Sequence, residues 1–261
     1  MGFTGLARWV NAPTTGLQLV ADNIMLNHNG QHRGKWILSV RSYRSTLSQT
    51  AGSPVTSERT MCTLTMDENV FVLLEDPAAP TRADVLAAAP PGQEAAYLQS
   101  PSHYRTTFLT LTPPNALEQL LSQLKARWVP VRGQSQGPQL TIEGHIFAIG
   151  TDWLVRAGNV ILAGGAVRGM LLEAEYLPLP TLHSPMADGT SELLSNLLTS
   201  VLPNVRDAKT VAVTISDTQW EEVLWDREGE ISKKKGDWMG VDRDRRSAFL
   251  IMGALRSEGI L

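Results

Sequence analysis

The sequence predicts an α+β protein built on an antiparallel sheet, and three features carry that expectation. Four short apolar runs, at 140–150, 153–158, 159–164 and 169–177, crowd into 38 residues with glycine-containing turns between them. Such density argues for an antiparallel meander. Two further runs, RTMCTLTM (59–66) and VFVLLE (70–75), are divided only by Asp67, Glu68 and Asn69, the spacing of a β-hairpin. Finally, several stretches repeat apolar residues every three or four positions, the period of an amphipathic helix.

In chain order, GLARWV (5–10) reads as a first strand, punctuated by Asn11, Ala12 and Pro13. Leu17, Val20 and Ile24 then mark a helix that stops near Asn27–Gly30. KWILSVRSYRSTL (35–47) alternates as a strand does, and the 59–75 hairpin follows. Residues 76–103 change character: proline, alanine, serine and glutamine dominate, with helical spacing only at Arg82–Ala88. This is expected to be an exposed excursion, because YRTTFLTLT (104–112) resumes strand character. Pro113 and Pro114 open a helix striped by Leu117, Leu120, Leu121 and Leu124. After the meander, Pro178 and Pro180 end the sheet. SELLSNLLTSVL (191–202) then aligns Leu194, Leu197, Leu198 and Val201 on one helical face. Between Asp226 and Arg246, thirteen of twenty-one residues are charged, with mixed sign, which reads as a solvated linker. RRSAFLIMGALRSEGIL closes the chain as an apolar helix, expected to dock on its own domain or on a partner.

Bulk properties restrict the function. With 261 residues, 43% of them hydrophobic, the chain can bury a large core without cross-links. A net charge of -3 gives no overall attraction to nucleic acid or anionic membrane. Cys62, the only cysteine, excludes an internal disulfide and fits a reducing compartment; its alternating surroundings predict a packed structural thiol. MGFTGLARWV lacks the pattern of a signal peptide, and Leu6 stands where a myristoylation motif wants Ser or Thr. No apolar run is long enough to span a membrane. The expectation is a soluble, internal protein.

The chemistry-bearing patterns are few. GNVILAGGAVRGMLLEAEY (158–176) holds Gly164 and Gly169 at the spacing of a phosphate loop. Met170 and Leu171 follow, however, where that loop needs Lys and Ser or Thr. The next residues also alternate at a strand period, so strand, glycine turn, strand is the expected reading. Glu173 and Glu175 are at i and i+2 of that strand and share a face, as a pair of metal-binding carboxylates would. Barrel enzymes that hydrolyse triphosphates use E-x-E-x-K in this way, but Leu177 occupies the lysine position here. With Leu172 and Tyr176 toward the core, Glu173 and Glu175 face solvent or a partner, and a solvated face is the expected reading.

The five histidines, His28, His32, His103, His145 and His183, share no metal-ligand spacing. His28 and His32 are four apart but straddle a helix end, and His145 is expected to be packed or hydrogen-bonded in its strand. No serine elbow is present. Lys233 to Lys235 are too few, and too close to acids, for a nucleic-acid patch. No catalytic, cofactor-binding or metal-binding residue is nominated, and no cofactor is expected. Of the seven tryptophans most are expected in the core, with Trp220, Trp225 and Trp238 the ones to meet a partner.

In order and spacing, these segments resemble the Mediator subunit 20 family, the TATA-binding-protein-related subunit of the transcriptional coactivator. The resemblance rests on GNVILAGGAVRGMLLEAEYLP followed by SELLSNLLTSVLP, on the opening MGFTGLARW, on WILSVRSYRS, and on the ending DRRSAFLIMGALRSEGIL, which is similar to the terminal helix of fungal members. It implies a partly open antiparallel β-barrel with flanking amphipathic helices and a C-terminal helix. It implies one domain over 1–261, with a loop insertion at 76–103 and a charged linker at 226–246. It also implies a nuclear, non-enzymatic head-module subunit that pairs with subunit 18 and is tethered by a helix of subunit 8. Any link to the TATA-binding protein and RNA polymerase II is then indirect, with no direct nucleic-acid contact. The alternative is a metal-dependent triphosphate hydrolase using Glu173 and Glu175.

Overall fold

Strand alternation and glycine turns do generate the sheet. The computed structural model describes residues 3–46, 58–124, 127–131, 138–178, 191–203, 210–213, 222–223 and 240–261. Within these, the strands are β1 (Phe3–Trp9), β2 (Gln31–Ser45), β3 (Thr60–Met66), β4 (Asn69–Glu75), β5 (Thr106–Leu111), β6 (Trp128–Pro130), β7 (Leu140–Ile149), β8 (Trp153–Leu162), β9 (Val167–Tyr176) and β10 (Thr210–Val213). The helices are α1 (Gly16–Asn27), α2 (Arg82–Ala88), α3 (Glu94–Gln99), α4 (Ala116–Gln123), α5 (Glu192–Val201) and α6 (Gly240–Ser257). The hydrogen-bonded order β10-β1-β9-β8-β7-β2-β3-β4-β5 has two free ends, with β6 paired to β2 off that path. The protein is therefore α+β, with the partly open, antiparallel barrel-like sheet and flanking helices that the sequence predicts.

The chain forms two compact units. The first comprises Met1–Val40, Gln136–Ser216 and Lys234–Leu261, the second Arg41–Ser135 and Asp217–Lys233. In the first, the meander is one continuous antiparallel run. Asn69 and its neighbours have a counterpart here in the turn after Leu162, where Gly165 has φ of +80° and donates its N–H to Leu162 O at 2.7 Å. The glycine knot turns the chain round, as expected. The runs at 153–158 and 159–164 are one strand, however, rather than two. Gly158 is not a turn residue: a Cβ there would approach Ile142 Cγ2 at 2.9 Å and the Glu143 carbonyl at 3.2 Å. Its cross-strand partner Gly144 is tighter still, with Ala157 O only 1.8 Å from an added Cβ. Glycine is required by close backbone approach, not by a bend.

Helices cover both faces of this sheet. Gly5 on β1 meets Leu194 of α5, and Gly16 of α1 meets Met170 of β9, so α1 and α5 lie on the face carrying Met170 and Ala174. Asn23 of α1 donates to the Val201 carbonyl at 2.9 Å, satisfying a free carbonyl at the end of α5. Leu194, Leu198 and Val201 are buried and Leu197 is half-buried. On the opposite face lies α6, against β1, with Leu250, Ile251 and Leu255 buried.

In the second unit, Tyr43, Met61, Val70, Val72 and Leu117 form a core with Leu74, Leu111, Leu121 and Trp128 against it. The α4 stripe is only partly used, since Leu120 is exposed. The 59–75 hairpin forms as expected, turning at Asp67 with φ of +51°. Cys62 is buried in β3. The 76–103 excursion contains the expected helix at Arg82–Ala88 and also α3, neither with a buried residue. A reciprocal cap starts α2: Asp84 N donates to Thr81 Oγ1 and Thr81 N to Asp84 Oδ2, both at 3.0 Å. Most of the charged stretch at 226–246 lies outside the described residues, but α6 already begins at Gly240 within it. Trp9 and Trp36 are buried, Trp128 and Trp153 half-buried, and Trp220, Trp225 and Trp238 lie outside the described residues.

Candidate functional site

Antiparallel partners share a face of the sheet, and this rule assembles the site. Glu173 on β9 stands opposite Leu6 of β1 and Arg156 of β8, and Glu175 stands opposite Thr4 and Leu154. All of these project toward α6. The expectation that Glu173 and Glu175 face solvent is therefore wrong. Glu173 is 0% and Glu175 4% exposed. Strand β9 is buried from Gly169 to Glu175, on both faces, because α6 covers the face that an open sheet would leave wet.

Two arginines and a serine neutralise the pair. Arg156 Nη1 donates to Glu173 Oε1 at 2.5 Å, and its Nη2 donates to Glu175 Oε2 at 2.8 Å. One guanidinium thus spans both carboxylates, the forked geometry that makes arginine suited to such pairs. Arg243 of α6 does the same from above: Nη2 donates to Glu173 Oε1 and lies 3.2 Å from Glu175 Oε2. Ser247, one helical turn on, donates its hydroxyl to Glu173 Oε2. Two carboxylates thereby face two guanidinium groups, one of which, Arg243, also donates Nη1 to Asp244 at 2.9 Å.

A second buried arginine fastens the other end of α6. Arg8 of β1 is fully buried, and its Nε and Nη2 make a bidentate pair with Glu258 at 2.9 and 2.8 Å. Its Nη1 and Nη2 also donate to the carbonyls of Met170 and Arg168 at 2.7 and 2.9 Å. Four hydrogen bonds satisfy a charge that would otherwise be costly to bury. The terminal helix is thus docked on its own sheet and pinned near both ends.

Sequence reasoning found the shared face of Glu173 and Glu175 but missed Arg8, Arg156, Arg243 and Ser247. The one available signal was spacing on α6: Arg243 and Ser247 are i and i+4 and lead a buried stripe through Ile251 and Leu255. The remaining candidates do not join this site. His28 directs Nε2 at Ser200 O, 3.1 Å away, at the end of α5. His32 meets His145 instead, and His103 pairs with Asp76 in the second unit. His183 and Lys233 to Lys235 lie outside the described residues. Among the described residues, no three His, Cys, Asp or Glu side chains converge as a metal site. Chemically, a divalent cation could reach Glu173 and Glu175 only by displacing both guanidinium groups.

Residues 1–223 match the family described as the TATA-binding related factor of subunit 20 of the Mediator complex. The chain belongs to that family. It is a Mediator subunit and acts in transcription regulation. The subunit 20 match stops short of α6, so the helix that neutralises Glu173 lies beyond the matched residues. No curated protein sequence matches this chain. Solved structures similar to it include the PH1819 protein of Pyrococcus horikoshii OT3, at 10% identity over 76% of this chain and 85% of that one, with a TM-score of 0.36. A putative adenylate cyclase of Vibrio parahaemolyticus has 13% identity over 77% and 88%, also with a TM-score of 0.36. A putative adenylyl cyclase of Hippeastrum, described as having a dominant triphosphatase activity, has 9% identity over 79% and 93%, with a TM-score of 0.34. Likenesses this distant carry nothing about what the present chain does.

Proposed function

We propose that this Mediator subunit is non-enzymatic and acts in the nucleus as an interaction subunit of the head module. In this reading it pairs with subunit 18, is tethered through a helix of subunit 8, and supports initiation by RNA polymerase II. Contact with the TATA-binding protein and the polymerase is indirect, through the assembled complex. The net charge of -3 argues against direct nucleic-acid binding, which needs clustered Lys and Arg.

The observation that carries the non-enzymatic reading is the self-neutralised carboxylate pair. Glu173 and Glu175 are the only E-x-E strand motif among the described residues, and the chain's own arginines occupy the positions a catalytic cation would need. Freeing either glutamate from these ion pairs would leave an uncompensated buried charge. Co-expression with subunits 18 and 8, followed by gel filtration and a triphosphate hydrolysis assay with magnesium or manganese, tests both halves. The expected result is one co-migrating complex without turnover. A chain that elutes alone overturns the pairing. Turnover abolished by Glu173→Gln in a folded variant overturns the non-enzymatic reading and restores the hydrolase alternative.

A further inference from the structure

We propose that His32 and His145 form a two-imidazole site for a divalent transition metal of the zinc class, on the face of the sheet opposite the buried glutamates. His32 lies on β2 and His145 on β7, adjacent strands of the first unit. Their facing atoms, Nε2 of His32 and Nδ1 of His145, are 3.1 Å apart. Two nitrogens each about 2.0–2.1 Å from one ion are separated by about 2.9 Å at a right angle and about 3.3 Å at the tetrahedral angle. The observed gap falls between those limits, so a modest turn of each ring suffices to aim both lone pairs at one ion.

The placement is built into the strands. The β2–β7 register shifts between His32 and Gly34, an irregularity that sets His32 opposite Phe147. Phe147 is two residues from His145 and therefore on its face. Bulges of this kind re-aim a side chain. The buried Phe147 ring backs both imidazoles, with centroids 5.8 Å from His32 and 6.2 Å from His145. The imidazole rings themselves meet edge-on, at 63° and 5.1 Å. His32 is exposed and His145 half-buried, so an ion has access and water can fill the remaining coordination positions.

Charge around the pair sets its working range. Lys35, directly opposite His145, works against a cation, whereas Glu143, two residues along β7 and opposite Ile37, favours one. Burial first, and then the neighbouring His32 and Lys35, hold the proton affinity of His145 below the usual imidazole range.

Zinc titration of the tag-free, chelator-treated full chain by calorimetry, at pH 7.5 and 5.5, tests the site. The parent is expected to bind one zinc at pH 7.5, with affinity at least tenfold weaker in His32→Ala and in His145→Ala but unchanged in His28→Ala. Circular dichroism confirms that each variant is folded, and His32→Gln and His145→Gln serve if an alanine variant is not. Binding should weaken at pH 5.5, because metal ligands must be deprotonated to bind. No zinc binding by the parent, or binding that survives both substitutions, overturns the proposal.

Discussion

Glu173 and its partners dominate the behaviour of the first unit at the scale of single residues. Removing one member of a buried ion pair costs about 3–5 kcal/mol, because the remaining charge is stranded. Arg243→Ala should therefore destabilise the protein by about that much in urea denaturation, while Ser247→Ala, which removes a single hydrogen bond to a charged group, should cost about 1.5–3 kcal/mol. An Arg243→Ala variant as stable as the parent would show that α6 is not held by this contact. In the second unit, Asp76 supplies a pH signature. Burial pushes its carboxyl up, but the hydrogen bonds from His103 and from the Ala78 N–H, with the Arg59 guanidinium 2.7 Å away, prevail and hold it below the usual range. A carboxylate lowered on folding contributes stability that is present above its unfolded pKa and lost as pH falls through its folded one. Asp76→Asn should then lose stability at neutral pH and show a shallower acid-side decline; an unchanged decline would contradict the assignment. Little of this was legible beforehand. The i, i+2 spacing showed that Glu173 and Glu175 share a face, yet Arg243, 70 residues later, sits in a charged stretch that reads as solvated by composition alone.

Among the elements, the β7–β8–β9 meander shows two different uses of glycine. Gly165 needs a positive φ but has open space around it, so Gly165→Ala should cost about 1 kcal/mol. Gly144 has no such angle, yet a Cβ there collides with the Ala157 carbonyl, so Gly144→Ala should be far more damaging. Comparable losses in thermal unfolding would refute that distinction. Sequence reading placed the hairpins, α1, α2, α4 and α5 well, because alternation and helical spacing are local properties. It split β8 at Gly158, since a glycine that marks crowding and one that marks a turn are written the same way. It also passed over β6 and β10, of three and four residues, which are too short to display a period. The charged first turn of α6 reads as linker by composition, and only tertiary pairing with Glu173 shows Arg243 to be buried.

For the whole molecule, an open antiparallel sheet, covered on one face by its own terminal helix, serves assembly within Mediator. Trp225, expected at a partner surface, gives one check. Trp225→Ala should weaken the subunit 18 complex by more than it lowers the melting temperature of the free chain, and equal damage to both would place it in the core instead. A tagged purification from native nuclei, with every co-eluting protein identified and quantified by mass spectrometry, tests that role directly. Stoichiometric recovery of subunits 18 and 8 with the rest of the head module is the expected result. A chain recovered alone, or with no Mediator subunit at comparable abundance, would contradict it.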